Sequence, residues 1–262
     1  MPTTYAHYTF GQEVLKLLKD DIKNLINKNK DLFNIGLHGP DILFYYKPLK
    51  SNPISKAGHR LHSLNADAFF ENARKVINDC HGYDAACTYV LGFICHFMLD
   101  SQCHPYIRQK ENNMLTHGAI ETEFDRLLML KNKLDPISFK PTAHIVHSSD
   151  NAEIISWFFD NISKEEISDA LTSMKFHLNF LVAPGRIKRA LIFAGLKLSG
   201  NYCGMSGLVM SYEPINECQE INEKLYGLYT QAVETAADMV EEYYKNIKSN
   251  EKINERFSRN FE

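Results

Sequence analysis

The chain has 262 residues, and its 29 Lys and Arg against 32 Asp and Glu give a formal net charge of −3. At 44% hydrophobic and 23% charged, with 16 Phe, 13 Tyr and 1 Trp, it has the composition of a folded globular protein, and intrinsic disorder is excluded. No block of clustered Lys and Arg stands ready to grip a nucleic-acid backbone, so no stable nucleic-acid complex is expected.

The opening residues Met1 to Gly11 are polar and aromatic, without the basic and then apolar pattern of an export signal. Beyond Phe10-Gly11, the apolar residues Val14, Leu17, Leu18, Ile22, Leu25 and Ile26 recur at three- and four-residue steps and predict one helix, fraying at Lys28 and Lys30. A loop carries His38-Gly39-Pro40-Asp41, then the aromatic cluster Phe44-Tyr45-Tyr46; residues 49–58 are too rich in Ser, Asn, Pro and Gly for extended regular structure. Helices follow at 66–79, 83–104, 116–131, 151–160, 165–182 and 185–198, with a long last one over 215–248 after Pro214. Strand-like alternation is nearly absent. The expectation is an all-α protein, a single multi-helix domain over residues 1–262.

No apolar run reaches the ~20 residues that a bilayer span requires. The six cysteines Cys80, Cys87, Cys95, Cys103, Cys203 and Cys218 form no C-x-x-C pair. Three of them sit eight residues apart on one helix, too distant to bridge, and the set reads as reduced, buried thiols of a cytoplasmic protein.

The placement of the eleven histidines carries the chemistry. On the helix at 83–104 stands His96-x-x-x-Asp100-x-x-x-His104. A four-residue step turns only about 40°, so all three side chains leave one face. That face lies in an apolar run, Cys95 to Asp100, where two imidazoles and a carboxylate are costly unless paired or metal-bound. The next helix opens with His117-x-x-x-Glu121, so two consecutive helices aim five nitrogen and oxygen ligands at one another. A single such pair is commonly a surface helix contact; two pairs with a third histidine in phase point to metal. Nitrogen and oxygen donors without thiolates suggest zinc first, then manganese or iron. Cys95 and Cys103 fall off the ligand face. His144-x-x-His147 lacks a carboxylate partner, and His38 reads as loop structure or as a support to the site.

These residues resemble the zinc-dependent phospholipase C family, which shares its helical fold with the S1 and P1 single-strand nucleases. The resemblance rests on Tyr5-Ala6-His7 with Phe10-Gly11, Gly39-Pro40-Asp41-Ile42, Gly58-His59-Arg60-Leu61-His62, His96 to Pro105, and His117 to Asp125. It implies up to three zinc ions. Asp41, His62, His96 and Asp100 would bind the first; His104, His117 and Glu121 the second; His7, the chain's own N-terminus and Asp100 as a bridge the third. His62 is chosen over His59 by the Gly-x-x-x-His pattern. Members of the family usually begin their mature chain with tryptophan, whereas Trp157 is the sole tryptophan here; loss of Met1 would leave Pro2 as the terminal amine ligand. The step from Asp100 to His104 is four residues where the family often has six.

The resemblance further implies a zinc-dependent phosphoester hydrolase, phospholipase C-like, in which a zinc-bridging hydroxide attacks a phosphodiester, with Asp41 and Asp100 as the catalytic carboxylates. Three Zn²⁺ against Asp41, Asp100 and Glu121 leave about three positive charges, enough to draw in a phosphoester despite the chain's net charge. The implied partner is a phospholipid or another phosphoester, with transient contact to a membrane surface. The alternatives are an S1/P1-type nuclease or nucleotidase, and a non-catalytic helical zinc-binding protein. The carboxylate that phosphocholine-preferring members place near the N-terminus is missing before Glu13, and Ile42 follows Asp41. Phe44 to Tyr46 suit core packing, a quaternary amine or a nucleobase. The membrane-binding β-domain that clostridial toxins of this family add at the C-terminal end is not expected.

Overall fold

The computed structural model describes residues 4–249 and 251–262. It is 71% helix, with no strand among the described residues. The helices are α1 (Thr4–Leu17), α2 (Asp20–Lys28), α3 (Lys30–Gly36), α4 (Pro53–Ser63), α5 (Asp67–Asp79), α6 (Tyr83–Lys110), α7 (His117–Lys131), α8 (Ser149–Ser156), α9 (Lys164–Leu181), α10 (Arg186–Leu198), α11 (Tyr202–Met205) and α12 (Cys218–Asn246). Short 3₁₀ segments lie at Gly39–Tyr45, Ser206–Leu208 and Glu255–Ser258. None of these helices is long and apolar enough to cross a membrane.

Helix α6 is the axis of the molecule. It is buried on every side from Ala86 to Ser101, and α3, α12, α1 and α5 pack around it. Its tightest neighbour is α3: a Cβ on Gly36 would run into the Tyr89 carbonyl, and one on Gly92 into the Phe33 carbonyl. Two glycines at one crossing let the backbones approach closely enough to fix the loop after α3, which carries Asp41, against the face that carries His96. The helix continues to Lys110 through Pro105, which removes one backbone hydrogen bond to Ser101. One hydrophobic cluster runs from Tyr5 to Phe261, with Phe70, Phe93, Phe97, Phe257 and Phe261 in mutual contact. A small second cluster of Ala183, Ile192 and Val209 holds α10.

The structure departs from the sequence reading in the first helix, in α4 and in the cysteines, and it adds α3 where a fraying end and a loop were expected. The single helix expected after Gly11 begins earlier, at Thr4, and is broken at Lys19, whose backbone is extended. Lys19 binds Glu241 through both its N–H and its ammonium, while Asp20 and Asp21 restart the helix by placing negative charge on its N-terminus. Residues 53–58 belong to α4 rather than to a loop. Asn52 accepts from the amides of Ile54 and Ser55, Ser55 returns the bond, and Pro53 takes the first helical position, a complete capping box. Of the cysteines, all free, Cys87, Cys95, Cys103 and Cys218 are buried, but Cys203 on the short peripheral α11 is exposed.

Candidate metal centre

Five elements of the chain bring the ligand types together. Helix α1 presents His7, the 3₁₀ segment presents Asp41, and α4, α6 and α7 present the rest. Gly39 has a positive φ of 47°, and a Cβ there would strike the His96 ring, so glycine is what lets Asp41 turn in beside His96. Helix α1 is held by Asp125 of α7, one turn beyond Glu121, whose carboxylate accepts from the amides of Tyr5 (3.1 Å) and Ala6 (2.7 Å). The positive end of one ligand helix is thereby tied to the other ligand helix.

At the centre sits Asp100, almost fully buried. One oxygen lies 3.1 Å from His7 Nε2 and 3.4 Å from His104 Nε2; the other lies 3.1 Å from His96 Nε2 and 4.0 Å from His62 Nε2. His62 Nε2 is 2.9 Å from Asp41, and Glu121 is 3.3 Å from His104 Nε2 and 3.1 Å from His117 Nε2. Three groups have donor atoms close enough to share an ion: Asp41, His62 and His96; His7, His96 and Asp100; and His104, His117 and Glu121. All the expected ligand side chains, His7, Asp41, His62, His96, Asp100, His104, His117 and Glu121, are thus gathered in one place. Pro2 lies outside the described residues. His59 does not join: it is exposed and stacks on Phe44, whereas His62 is buried. The four-residue step from Asp100 leaves His104 facing both Asp100 and Glu121.

His117 Nε2 and Glu121 are aligned as a hydrogen bond, but several of the other donor atoms at these short distances are not. His96 Nε2, Asp100 Oδ2 and both Asp41 oxygens are buried with no aligned partner, as are His7 Nδ1 and Glu121 Oε2. Such orphans cost about 1–3 kcal/mol each, more when charged. Donor atoms that approach to about 3 Å without pointing at one another instead converge on a shared point. Ligands about 2.1 Å from a tetrahedral zinc stand about 3.4 Å apart, which matches this spacing. A cavity of about 20 Å³ bordered by His7, Asp100, His104 and Glu121 is the size of an ion or a water. The residues fit zinc.

The outer ring nitrogens set which nitrogen faces inward. His62 Nδ1 is 2.9 Å from the Gly58 carbonyl, His104 Nδ1 is 2.8 Å from the Phe261 carbonyl, and His117 Nδ1 is 3.1 Å from Glu111. Each donates outward and so presents a bare Nε2 to the centre. Without metal, the imidazoles and carboxylates share protons. Burial lowers the His62 pKa, but Asp41 and Asp100 overcome it and raise it to about 9. His7 follows the same pattern: burial is outweighed by Asp100 and the value rises. For His96 burial wins and the value falls. Burial opposes ionisation of Asp100, yet His104, His96 and His7 hold it well below the usual carboxylate range.

Two supports stand behind the site, the first unread in the sequence and the second read there as loop structure or as a support. The first is the C-terminal segment. The Phe261 amide donates to the His62 carbonyl, its carbonyl takes His104, and its ring packs against His62 and His96. No local pattern signals this, because the partners are more than 150 residues away. Phe261→Ala is expected to cost about 3–5 kcal/mol of stability and to weaken zinc binding by roughly 10–100-fold, read by thermal melts and competition with a chelator. Unchanged zinc affinity would separate the ring from the ligands.

The second is His38, buried and 2.8 Å from His144 by way of the two Nε2 atoms, with His144 stacked on Tyr8. His144 is spent on this contact and His147 on Thr172, so the two do not converge as a metal pair. Of the aromatic cluster, Tyr45 is buried, Phe44 stacks on His59 and His62, and Tyr46 lies under the Lys47 ammonium.

No curated protein and no solved structure matches the chain. A family model, zinc dependent phospholipase C, matches residues 6–176, a span that contains every ligand side chain gathered around Asp100. With an all-helical fold and a centre whose donors suit zinc, the chain belongs to the zinc-dependent phospholipase C family.

Proposed function

We propose that the chain is a hydrolase of phosphodiesters that cleaves phospholipids on the glycerol side of the phosphate, yielding diacylglycerol and a phosphorylated head group. Family membership supports a zinc-dependent phospholipase C-like activity. The observation that carries the finer reading is Asp100, whose two oxygens face all three ligand groups at once.

In this reading Asp41, His62, His96 and Asp100 hold one ion, His104, His117 and Glu121 a second, and His7 with Asp100 contributes to a third. When bound, zinc supplies Lewis acidity toward the phosphoryl oxygens and makes an attacking water acidic near neutral pH. The protein's part is positioning and charge. Asp100 holds the ligand groups in register. Asp41, with both oxygens free of aligned donors, orients the attacking water as an acceptor. The outward bonds to Gly58, Phe261 and Glu111 keep the ring nitrogens from turning. Burial excludes bulk water, so each of these interactions is stronger than it would be in solvent.

The test is hydrolysis of phosphatidylcholine vesicles and of single-stranded DNA, side by side, with zinc-loaded protein and a chelated control. Chelator-sensitive release of diacylglycerol is the expected result. Cleavage of DNA alone would place the chain with the nuclease branch, and silence on both would overturn the hydrolase reading as stated.

A further inference from the structure

Beyond the metal centre, the part of the chain at and after the end of the family match has an unusual surface. No aspartate or glutamate occurs between Asp169 and Glu213, while Lys175, Arg186, Lys188, Arg189 and Lys197 fall in that interval. In a chain of net charge −3, this is a local excess of positive charge. The same interval exposes large apolar side chains. Ile187 is 80% exposed, Leu191 69% and Leu198 90%, at positions that share one face of α10, and Phe176 and Phe180 stand exposed one turn apart on α9. The Lys188 ammonium lies 5.4 Å over the Phe180 ring, joining the two helices' outer faces into one patch. Helix α10 buries just Arg189 and Ile192, so most of its apolar surface has no partner within the fold.

The two helices are tied to the rest of the fold. Arg189 donates to the carbonyls of Ala183 and Met210 and lies 4.0 Å over the Tyr212 ring, which locks α10 to the segment after α11. Leu178 and Leu181 of α9, with Leu208 and Met210, form one wall of an apolar cleft whose other wall includes Thr4, Tyr45 and Asp125. Thr4 precedes His7 by three residues; Tyr45 and Asp125 follow Asp41 and Glu121 by four. The cleft therefore lies beside the turns that carry the candidate ligands, on the face of α9 turned away from Phe176 and Phe180.

We propose that the outer face of α9 and α10 is a docking surface for an anionic phospholipid bilayer, with Phe176, Phe180, Ile187, Leu191 and Leu198 entering the interface and Arg186 and Lys197 meeting lipid phosphates. The inference rests on the phospholipid reading above. Exposed apolar side chains flanked by cations are what an interfacial helix requires; α10 carries no acidic group for a negative surface to repel, and the exposed Glu165 and Asp169 of α9 stand toward the end away from Phe180. A second copy of the chain fits worse, because a two-fold contact would bring the same cations face to face.

Binding and cleavage are measured separately. Zinc-loaded protein is sedimented with vesicles of phosphatidylcholine containing a minority of phosphatidylglycerol, and hydrolysis is followed on a soluble short-chain phosphatidylcholine below its micelle threshold. The double variant Ile187→Glu/Leu191→Glu is expected to bind vesicles about tenfold less tightly or worse, with zinc content and soluble-substrate hydrolysis unchanged. The variant Arg186→Gln/Lys197→Gln, which keeps the apolar stripe, is expected to lose binding to the mixed vesicles and to show a flatter salt dependence. Wild-type vesicle binding by both variants would overturn the proposal while leaving the hydrolase reading intact. Vesicle binding that the variants abolish, in a protein that cleaves no phospholipid, would support the surface and overturn the hydrolase reading. A dimer in solution that Ile187→Glu/Leu191→Glu dissociates, with no vesicle binding by the wild type, would overturn the proposal in favour of self-association.

Discussion

Asp100→Asn is expected to lower phospholipid hydrolysis by about a thousandfold or more and to remove at least one zinc ion per chain. The reason is geometric as well as electrostatic. The Asp100 oxygens lie between 3.1 and 4.0 Å from the Nε2 atoms of His7, His62, His96 and His104. An amide of the same shape removes the negative charge that lets cations gather there, and it turns one acceptor into a donor that faces imidazole nitrogens already competing for position. Removing one partner from a buried ionic cluster leaves the others uncompensated. Metal content by elemental analysis, together with kcat/KM on phosphatidylcholine, reads the effect. A variant that keeps both its zinc and its activity would show that Asp100 is a neighbour of the centre rather than its bridge.

Zinc affinity is expected to rise steeply between about pH 6.5 and 9, by up to tenfold per pH unit for each histidine that must lose a proton. In the metal-free protein His62 holds its proton to about pH 9, and His7 holds its own above the ordinary imidazole range. Zinc binds neutral imidazole, so below these values it must displace protons. The same shifts fix the sign for stability. A group whose folded pKa is raised stabilises the fold fully below its unfolded value, and that contribution is lost as pH rises through the folded one. Metal-free protein should therefore weaken from pH 6.5 toward 9 as the contribution of His62 fades. The carboxylates act in the opposite range. Asp100 and Glu121 have depressed values, so their contribution is present above the unfolded carboxylate range and is lost on acidification. The gap in Tm between zinc-loaded and chelated protein should consequently widen from pH 6.5 to 9, with protons released on zinc binding in weakly buffered solution. A gap that is flat across this range would contradict the account.

Removal of metal bears on the fold as well as on catalysis. The centre joins α1, the 3₁₀ segment, α4, α6 and α7, and its buried orphan atoms come from four of these, through His7, Asp41, His96 with Asp100, and Glu121. Zinc that occupies the site at about a thousand times its Kd contributes about 4 kcal/mol to the stability of the whole chain.

What could be read from the residues in order was whatever depends on near neighbours. His96, Asp100 and His104 share a helix, as do His117 and Glu121, and helical periodicity alone puts them on common faces. The all-α architecture and most helix positions follow from the same periodicity. His62 over His59 was legible too, through the Gly-x-x-x-His pattern, and burial separates the two in the fold. Even the start of α4 was written locally in Asn52, Pro53 and Ser55, although composition masked it, since capping residues and loop residues are the same residue types.

Tertiary structure decided what depends on distant partners. The break at Lys19 exists because Glu241 is there to receive it. Asp125 caps α1 across 120 residues, and the backbone of Phe261 orients His104 across 157. The apolar and cationic face of α9 and α10 is visible as composition, but periodicity cannot say whether an apolar stripe is covered. That is settled by what else packs nearby, and here the fold leaves Ile187, Leu191 and Leu198 open. A sequence states which chemistries are on offer at each turn of a helix; which of them meet, and which stay exposed, is a property of the packing of all the helices together.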